Sequence, residues 1–457
     1  MPDTPKNQTA NNQNPSSTQP QLAVAEEEVE QRRFKHTPPE GLVPGTMDAL
    51  PDRMQYVDWV LFQAESIAIT HELKRVQTPV LEKVANLSRG LGAETDSIED
   101  QLFRVTGKSG DAVALRPDHR TGLARAFAQD KFSRQDKPVR LWTHGAIFRV
   151  VPLGHGALRE MLSFGFELIG EKNAVLDAQL IQMAHKIIKR LGLADVVIQV
   201  NTVGCLDCRP EYIQQLKEFY ESRDNALCKK CRKRRTSNPM LLLTCKEEKC
   251  ERIAKDAPQI IDHLCETCHK HFTETLEFLD DLEIPYSLNP QLVPEIEYYA
   301  RTVFSVVTEK TDRPRVLFEG GRYDDLIEKM GGRPTPAVGI TGFVDNLVLA
   351  LQEQAIKIAN PRKADVYLAQ LSAMAKKKAL SVFEMLREGG IRVVEGFGKN
   401  AITTQIEQAT KLNVPITLIL GQKEAMDETI IMRDMVNGVQ EIVPLARLVT
   451  ELKKRIQ

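Results

Sequence analysis

The chain has 457 residues, of which 42% are hydrophobic and 27% charged, and its formal net charge is −1. That length is too great for one compact core and implies two or three domains. The near-neutral balance excludes a bulk polycation, so nucleic-acid contacts must come from local basic patches.

The first residues, through about Gln21, are rich in Asn, Gln, Pro, Ser and Thr. They lack the apolar content to offset ordering entropy, and the tail over residues 1–40 is expected to be disordered. It has no charged start followed by an apolar stretch, so a secretory signal is not expected. No apolar run reaches membrane-spanning length. With no export signal, the 8 cysteines point away from disulfides and toward a reducing, cytoplasmic setting.

Helical spacing runs from Arg53 to Arg75, with Met54, Val57, Leu61, Ala64, Ile67 and Ala68 on one face. Pro79 follows, and TPVLEKV reads as extended. QLFRVT and AVALRP, across the turn GKSGD, read as antiparallel strands. RLWTHGAIFRVV and LSFGFELIG form the next strand pair, and Ala174 to Leu191 the next helix. VVIQVNTVG then leads into the cysteine-rich stretch. Beyond it come a helix over Phe272 to Leu282, strands near Tyr298–Val307 and Val316–Glu319, and a buried strand–helix unit over Val338–Leu351. After a linker at Asn360 and Pro361, strand alternates with amphipathic helix from Ala364, indicating a small α/β domain.

All cysteines fall into four close pairs: Cys205–Cys208, Cys228–Cys231, Cys245–Cys250 and Cys265–Cys268. Two thiolates separated by two residues can bind one ion from a single turn, and Zn²⁺ takes four such ligands tetrahedrally. Buried, casually spaced thiols are the competing reading, but chance rarely confines every cysteine to one segment in pairs. The spacing leaves open one site or two, and which pair meets which. The run Lys229, Lys230, Arg232, Lys233, Arg234, Arg235 either meets a phosphate backbone or forms a solvated face balanced by Glu247, Glu248 and Glu251.

Several ordered phrases resemble the histidyl-tRNA synthetase family from about Gly41 onward. PGTMDALPDRM and TPVLEKVANLSRGLGAETD resemble its opening and first class II motif. LRPDHRTGLARA is similar to its histidine-recognition phrase, and IFRVVPLGHGALREMLSFGFELIG to its second motif. LVPEIEYYARTVF and EGGRYDDL resemble its histidine-specific motifs, and VGITGFVDNLV stands at the third. The resemblance implies an α+β class II core, an antiparallel sheet of six or seven strands flanked by helices. That core would span residues 41–200 and 272–355. A Cys-rich insert would occupy 201–271, and a C-terminal α/β anticodon-binding-type domain 363–457. It also implies ATP-dependent activation of L-histidine with Mg²⁺, transfer to tRNA(His), and a homodimer.

By the same resemblance, Asp118 would pair the histidine ammonium, with Glu167, Tyr299 and Tyr323 lining the histidine site. Arg149 would hold the α-phosphate. Departures are equally specific. The family arginine before the tyrosine pair is Pro294, followed by Glu295. The third-motif arginine is Asn346, preceded by Asp345. A substrate-holding glutamine is Ser163, and the loop after Arg149 reads Val150, Val151, Pro152, Leu153, keeping only His155 and Arg159. Each lost transition-state donor costs about 3–4 kcal/mol. Two would cost on the order of 10⁴ in rate if additive. A working ligase therefore needs a substitute cation, with Arg301, Arg322 and Arg116 as candidates. The alternative is a non-catalytic paralogue that senses histidine, as does the regulatory subunit of ATP phosphoribosyltransferase, or that binds tRNA. Asp118 and the Gly156–Glu160 loop resemble that regulatory branch; the insert and tail domain do not.

Overall fold

The computed structural model describes residues 41–91, 102–106, 110, 112–132, 135–151, 157–294, 296, 298–309, 314–358, 364–399 and 401–456. The N-terminal tail, most of the GKSGD turn, Pro152, Leu153, His155, Gly156, Glu295 and the linker at Asn360 and Pro361 lie outside them.

Helix Pro51–Thr70 (α1) starts on a proline, whose fixed φ and missing N–H suit a first helical position. It buries Val57, Val60, Gln63, Ala64, Ile67 and Ala68. Met54 is exposed and Leu61 half-buried, so the buried arc is turned toward Val60 and Gln63 relative to the sequence expectation. After Lys74–Arg75 (β1), a small antiparallel sheet forms from Leu81–Lys83 (β2), Arg104–Thr106 (β3) and Ala112–Leu115 (β4), in the order β2-β4-β3. Val84–Leu91 (α2) and Arg120–Ala128 (α3) pack against each other beside it.

The chain continues through Val139–Phe148 (β5), Glu160–Ile169 (β6), Val175–Leu191 (α4) and Val196–Thr202 (β7). The cysteine-rich stretch contributes Arg209–Glu221 (α5), Lys229–Ser237 (α6), Glu248–Lys255 (α7) and Glu266–Asp281 (α8). The last of these starts earlier than Phe272, directly after Cys265, which places Cys268 in its first turn. Ser287–Leu288 (β8), Ala300–Thr308 (β9), Val316–Arg322 (β10), Leu326–Lys329 (α9), Ala337–Phe343 (β11) and Val344–Glu353 (α10) follow.

The large sheet has eight strands in the order β1-β5-β6-β11-β10-β9-β7-β8. Its interior pairs are antiparallel, while the two-residue strands β1 and β8 pair parallel at the edges. Those short edges account for the count exceeding the expected six or seven. Successive side chains alternate between faces. On β6, Phe164, Phe166 and Leu168 enter the core under α1, α4 and α10. Glu167 points to the opposite face. There Tyr298, Tyr299 and Tyr323 share a second core with Tyr212, Leu216 and Leu227 of the cysteine-rich stretch.

The C-terminal segment forms Val366–Gln370 (β12), Ala373–Glu388 (α11), Val393–Glu395 (β13), Ile402–Lys411 (α12), Ile416–Leu420 (β14), Gln422–Met426 (α13), Thr429–Asp434 (β15), Gln440–Pro444 (β16) and Leu448–Ile456 (α14). Its sheet runs β13-β12-β14-β15-β16. The β12 pairs with β13 and β14 are parallel, the βαβ pattern expected from sequence. The β15–β16 hairpin was not anticipated. Its signal was Asn437-Gly438 between apolar runs, with Gly438 at φ +75°.

Candidate functional site

A closed polar cage lies on the second face of the large sheet. Glu167 is opposite Gly339 on β11. A Cβ at Gly339 would stand 1.5 Å from Glu167 Oε2, so only glycine leaves room for that carboxylate. The Tyr323 hydroxyl donates to Glu167 Oε2 at 2.7 Å. On the other side of the carboxylate, Arg120 Nε donates to Oε1 at 3.1 Å. Arg120 Nη1 also donates to the hydroxyl of Tyr299 and, at 3.4 Å, to that of Tyr298. Burial pushes Glu167 up to about 7, with Arg120 pulling the opposite way. Thus Glu167, Tyr299 and Tyr323 come together as expected from sequence, but around an arginine of the same chain.

Asp118 closes one end. Its Oδ1 accepts the Thr121 N–H at 3.0 Å, anchoring the first turn of α3, and its Oδ2 accepts the Tyr298 hydroxyl at 3.1 Å. Next to it, His119 Nε2 lies 3.0 Å from Ser163 Oγ. Desolvation, then Arg116, pushes the His119 imidazole down to about 3.

Arg149 stands outside the cage. Its Nε donates to the Pro117 carbonyl at 3.0 Å, and its Nη2 is 3.6 Å from Glu319. Both Arg149 and Glu319 line a cavity of about 210 Å³, with Pro294, Leu292, Val293 and Tyr299 on its wall. Arg149 is the only cation among the described residues lining it. Pro294 therefore puts an apolar ring where the sequence comparison expects a guanidinium. Asn346 donates its amide to the Val316 carbonyl at 2.8 Å. Its neighbour Asp345 accepts the Leu162 N–H at 2.7 Å and pairs with Arg53 at 2.8 Å.

The three candidate substitute cations are engaged elsewhere. Arg322 is fully buried, 2.7 Å from Asp177 and 3.0 Å from Asp324. Arg301 pairs with Asp324 at 3.4 Å. Arg116 donates to the carbonyls of Ala146 and Thr78 at 2.9 and 3.1 Å.

The cysteines resolve into two sets of four: Cys205, Cys208, Cys265 and Cys268, and Cys228, Cys231, Cys245 and Cys250. Within each set the sulfurs lie within 4.8 Å of one another. Sγ separations of 3.7 Å (Cys205–Cys208), 3.8 Å (Cys205–Cys265) and 4.0 Å (Cys228–Cys245) match the roughly 3.8 Å edge of a tetrahedron with Zn–S bonds of about 2.3 Å. All eight are free thiols. Backbone N–H groups of Cys205, Cys228 and Cys231 point at set sulfurs at 3.2–3.4 Å, an arrangement that suits thiolates. On α6, Arg232 and Arg235 share Asp224 at 3.4 and 3.3 Å. Lys229, Lys230 and Lys233 are exposed. Of the glutamates expected to balance this run, Glu248 pairs instead with Arg252 within α7.

Comparison with known proteins gives the lineage. The histidyl-tRNA synthetase family model matches residues 45–347, and an anticodon binding domain model matches residues 365–455. The chain belongs to the histidyl-tRNA synthetase family. It is 34% identical to a histidine–tRNA ligase of Dehalococcoides mccartyi over 412 residues, 90% of this chain and 99% of that one. The apo histidyl-tRNA synthetase of S. aureus superimposes with a TM-score of 0.76 at 26% identity, covering 91% of this chain and 100% of that chain. An ATP phosphoribosyltransferase regulatory subunit/histidyl-tRNA synthetase from Bacillus halodurans shares the fold. Its TM-score is 0.60 at 22% identity, covering 83% of this chain and 98% of that one. The large sheet flanked by helices is thus the class II core, and the C-terminal sheet the anticodon-binding-type domain. Among the described residues, no helix is long and apolar enough to cross a membrane.

Sequence reasoning missed Arg120, His119 and Tyr298. Arg120 did carry a signal, being a charge at the start of an otherwise apolar helical stretch, Gly122 to Ala124. Tyr298 was overshadowed by its neighbour. Nothing local marks His119 as the partner of Ser163.

Proposed function

We propose that this family member binds tRNA, with tRNA(His) as the first candidate, and that its ATP-dependent activation of L-histidine is weakened or lost. One observation carries this reading: among the described residues lining the cavity beside Arg149 there is a single cation, and Glu319 stands 3.6 Å from it. Phosphoryl and adenylyl chemistry depends on positive charge placed in advance on the phosphates. Arg149 would hold the α-phosphate of ATP, and a bound Mg²⁺ would supply charge screening for the remaining phosphates. The positions at Pro294 and Asn346 add no charge, and Arg116, Arg301 and Arg322 are held by other partners.

The anticodon-binding-type domain and the exposed lysines of α6 support RNA binding. A histidine-sensing role needs an open pocket, which the filled cage around Glu167 disfavours. Two structural Zn²⁺ ions, one per cysteine set, would hold the insert, and free thiols suit a reducing cytoplasm. A symmetric homodimer would cover Phe62 and Ile69 on α1 and Leu81 on β2, which are 59%, 67% and 51% exposed.

The test is histidine-dependent ATP–pyrophosphate exchange on the full-length protein, beside tRNA(His) binding by fluorescence anisotropy. The expected result is exchange at background with saturable, salt-sensitive tRNA binding. Exchange at a rate typical of a ligase overturns the first half of the reading, and absence of tRNA binding the second.

A further inference from the structure

Arg120 is 1% exposed and projects from the first turn of α3 into the cage. A charge enters such surroundings only when partners replace its water. Glu167 supplies the countercharge, Tyr298 and Tyr299 supply hydroxyls, and the guanidinium carbon lies 5.5 and 5.7 Å from the ring centroids of Tyr299 and Tyr323. Aromatic faces on two sides and a carboxylate at the end make a receptor for a flat cation. The fit is incomplete, because the buried Nη2 has no partner. The cage thus offers fewer acceptors than a guanidinium has donors, as suits a ring with two N–H groups.

We propose that Arg120 is a tethered occupant of this cage, the residue that sets its specificity by closing it to free ligands. Without that side chain the cage is a binding site for a small planar cation, imidazolium or guanidinium. The tether is short and fixed, because Asp118 holds the Thr121 N–H at its base and His119 is set against Ser163. Swinging the guanidinium out would leave Glu167 buried and uncompensated. This inference deepens the proposed loss of histidine activation and rests on the reading of Glu167, Tyr299 and Tyr323 as the histidine site, since a cage filled by Arg120 has no room for the histidine side chain.

Thermal unfolding and calorimetric titration of full-length wild type and Arg120→Ala, with imidazole, L-histidine and guanidinium chloride at low millimolar levels against matched NaCl, test it. The wild type is expected to show no saturable response. Arg120→Ala is expected to unfold at a lower temperature and to regain several degrees with guanidinium or imidazolium, an effect abolished by adding Glu167→Gln. If Arg120→Ala does not fold unaided, soluble refolding only in the presence of those cations supports the proposal, and failure to be rescued by either overturns it. A folded Arg120→Ala blind to both cations overturns it as well. So does a wild type that binds L-histidine as tightly as the variant does. None of these readouts uses ATP or tRNA, so they stand apart from pyrophosphate exchange.

Discussion

The Nη1 atom of Arg322 lies 2.7 Å from Oδ1 of Asp177, and neither side chain is exposed. Oδ2 of the same aspartate meets His271 Nε2 at 2.7 Å, so one carboxylate ties α4 to β10 and α8. Burial acts to raise the Asp177 pKa, but Arg322 and His271 hold it below the usual aspartate range. Its contribution is therefore present above that range and is lost as pH falls through the depressed value. Removing one member of a buried pair strands the other. Asp177→Asn is expected to lower unfolding stability by about 3–5 kcal/mol, read as a lower urea midpoint at neutral pH. A variant within experimental error of wild type would mean that the pair contributes no net stability.

His119 sets a different pH dependence. It titrates near 6.5 when unfolded, and burial holds it down to about 3 in the folded chain. Between those values the unfolded state binds the extra proton, so stability falls as pH falls through the window. The full span is worth on the order of 5 kcal/mol. Glu167, raised by burial, has the opposite sign near neutrality, so the comparison must be made against a variant. Urea midpoints from pH 7 to pH 4 should fall more steeply for wild type than for His119→Asn. Parallel curves would show that His119 is protonated or solvated in the folded state.

The elements were legible in the sequence where periodicity decides them. The 3.6-residue spacing of α4 and the βαβ alternation from Val366 to Leu420 are local patterns. Edge strands of two residues, such as β1 and β8, carry no such pattern and were missed. The site was legible as a set of positions but not as a state. Glu167, Tyr299 and Tyr323 follow from ordered motifs, whereas the filling of their cage depends on Arg120, which meets Glu167 across 47 residues. Likewise, the four cysteine pairs were evident, but their partnership needs the fold that brings α8 beside Cys205.

That partnership predicts two ions per chain. Elemental analysis of the protein purified without chelator should find about two Zn²⁺ per chain, one per four-thiolate set. Cys265→Ser should remove one, and Cys245→Ser the other. Because Cys231 and Cys250 pack with Tyr212 and Leu227 in the core shared with Tyr299, a strong chelator should also lower the unfolding temperature. Full stability after complete metal removal would mean that apolar packing alone holds the insert.

Lys229, Lys230 and Lys233 are exposed on α6, while Arg232 and Arg235 are drawn to Asp224. If the exposed lysines meet a phosphate backbone, each contact releases counterions on binding. The slope of log affinity against log salt then counts them, at about 0.7–0.9 per phosphate. Lys230→Ala/Lys233→Ala should therefore weaken tRNA binding at low salt and flatten that slope by about 1.5. The loss should be alike for tRNA(His) and unrelated tRNA, because phosphate contacts carry no sequence information. A slope unchanged within error would assign α6 to a solvated face, leaving the anticodon-binding-type domain as the main RNA contact. A loss confined to tRNA(His) would instead place these lysines against bases.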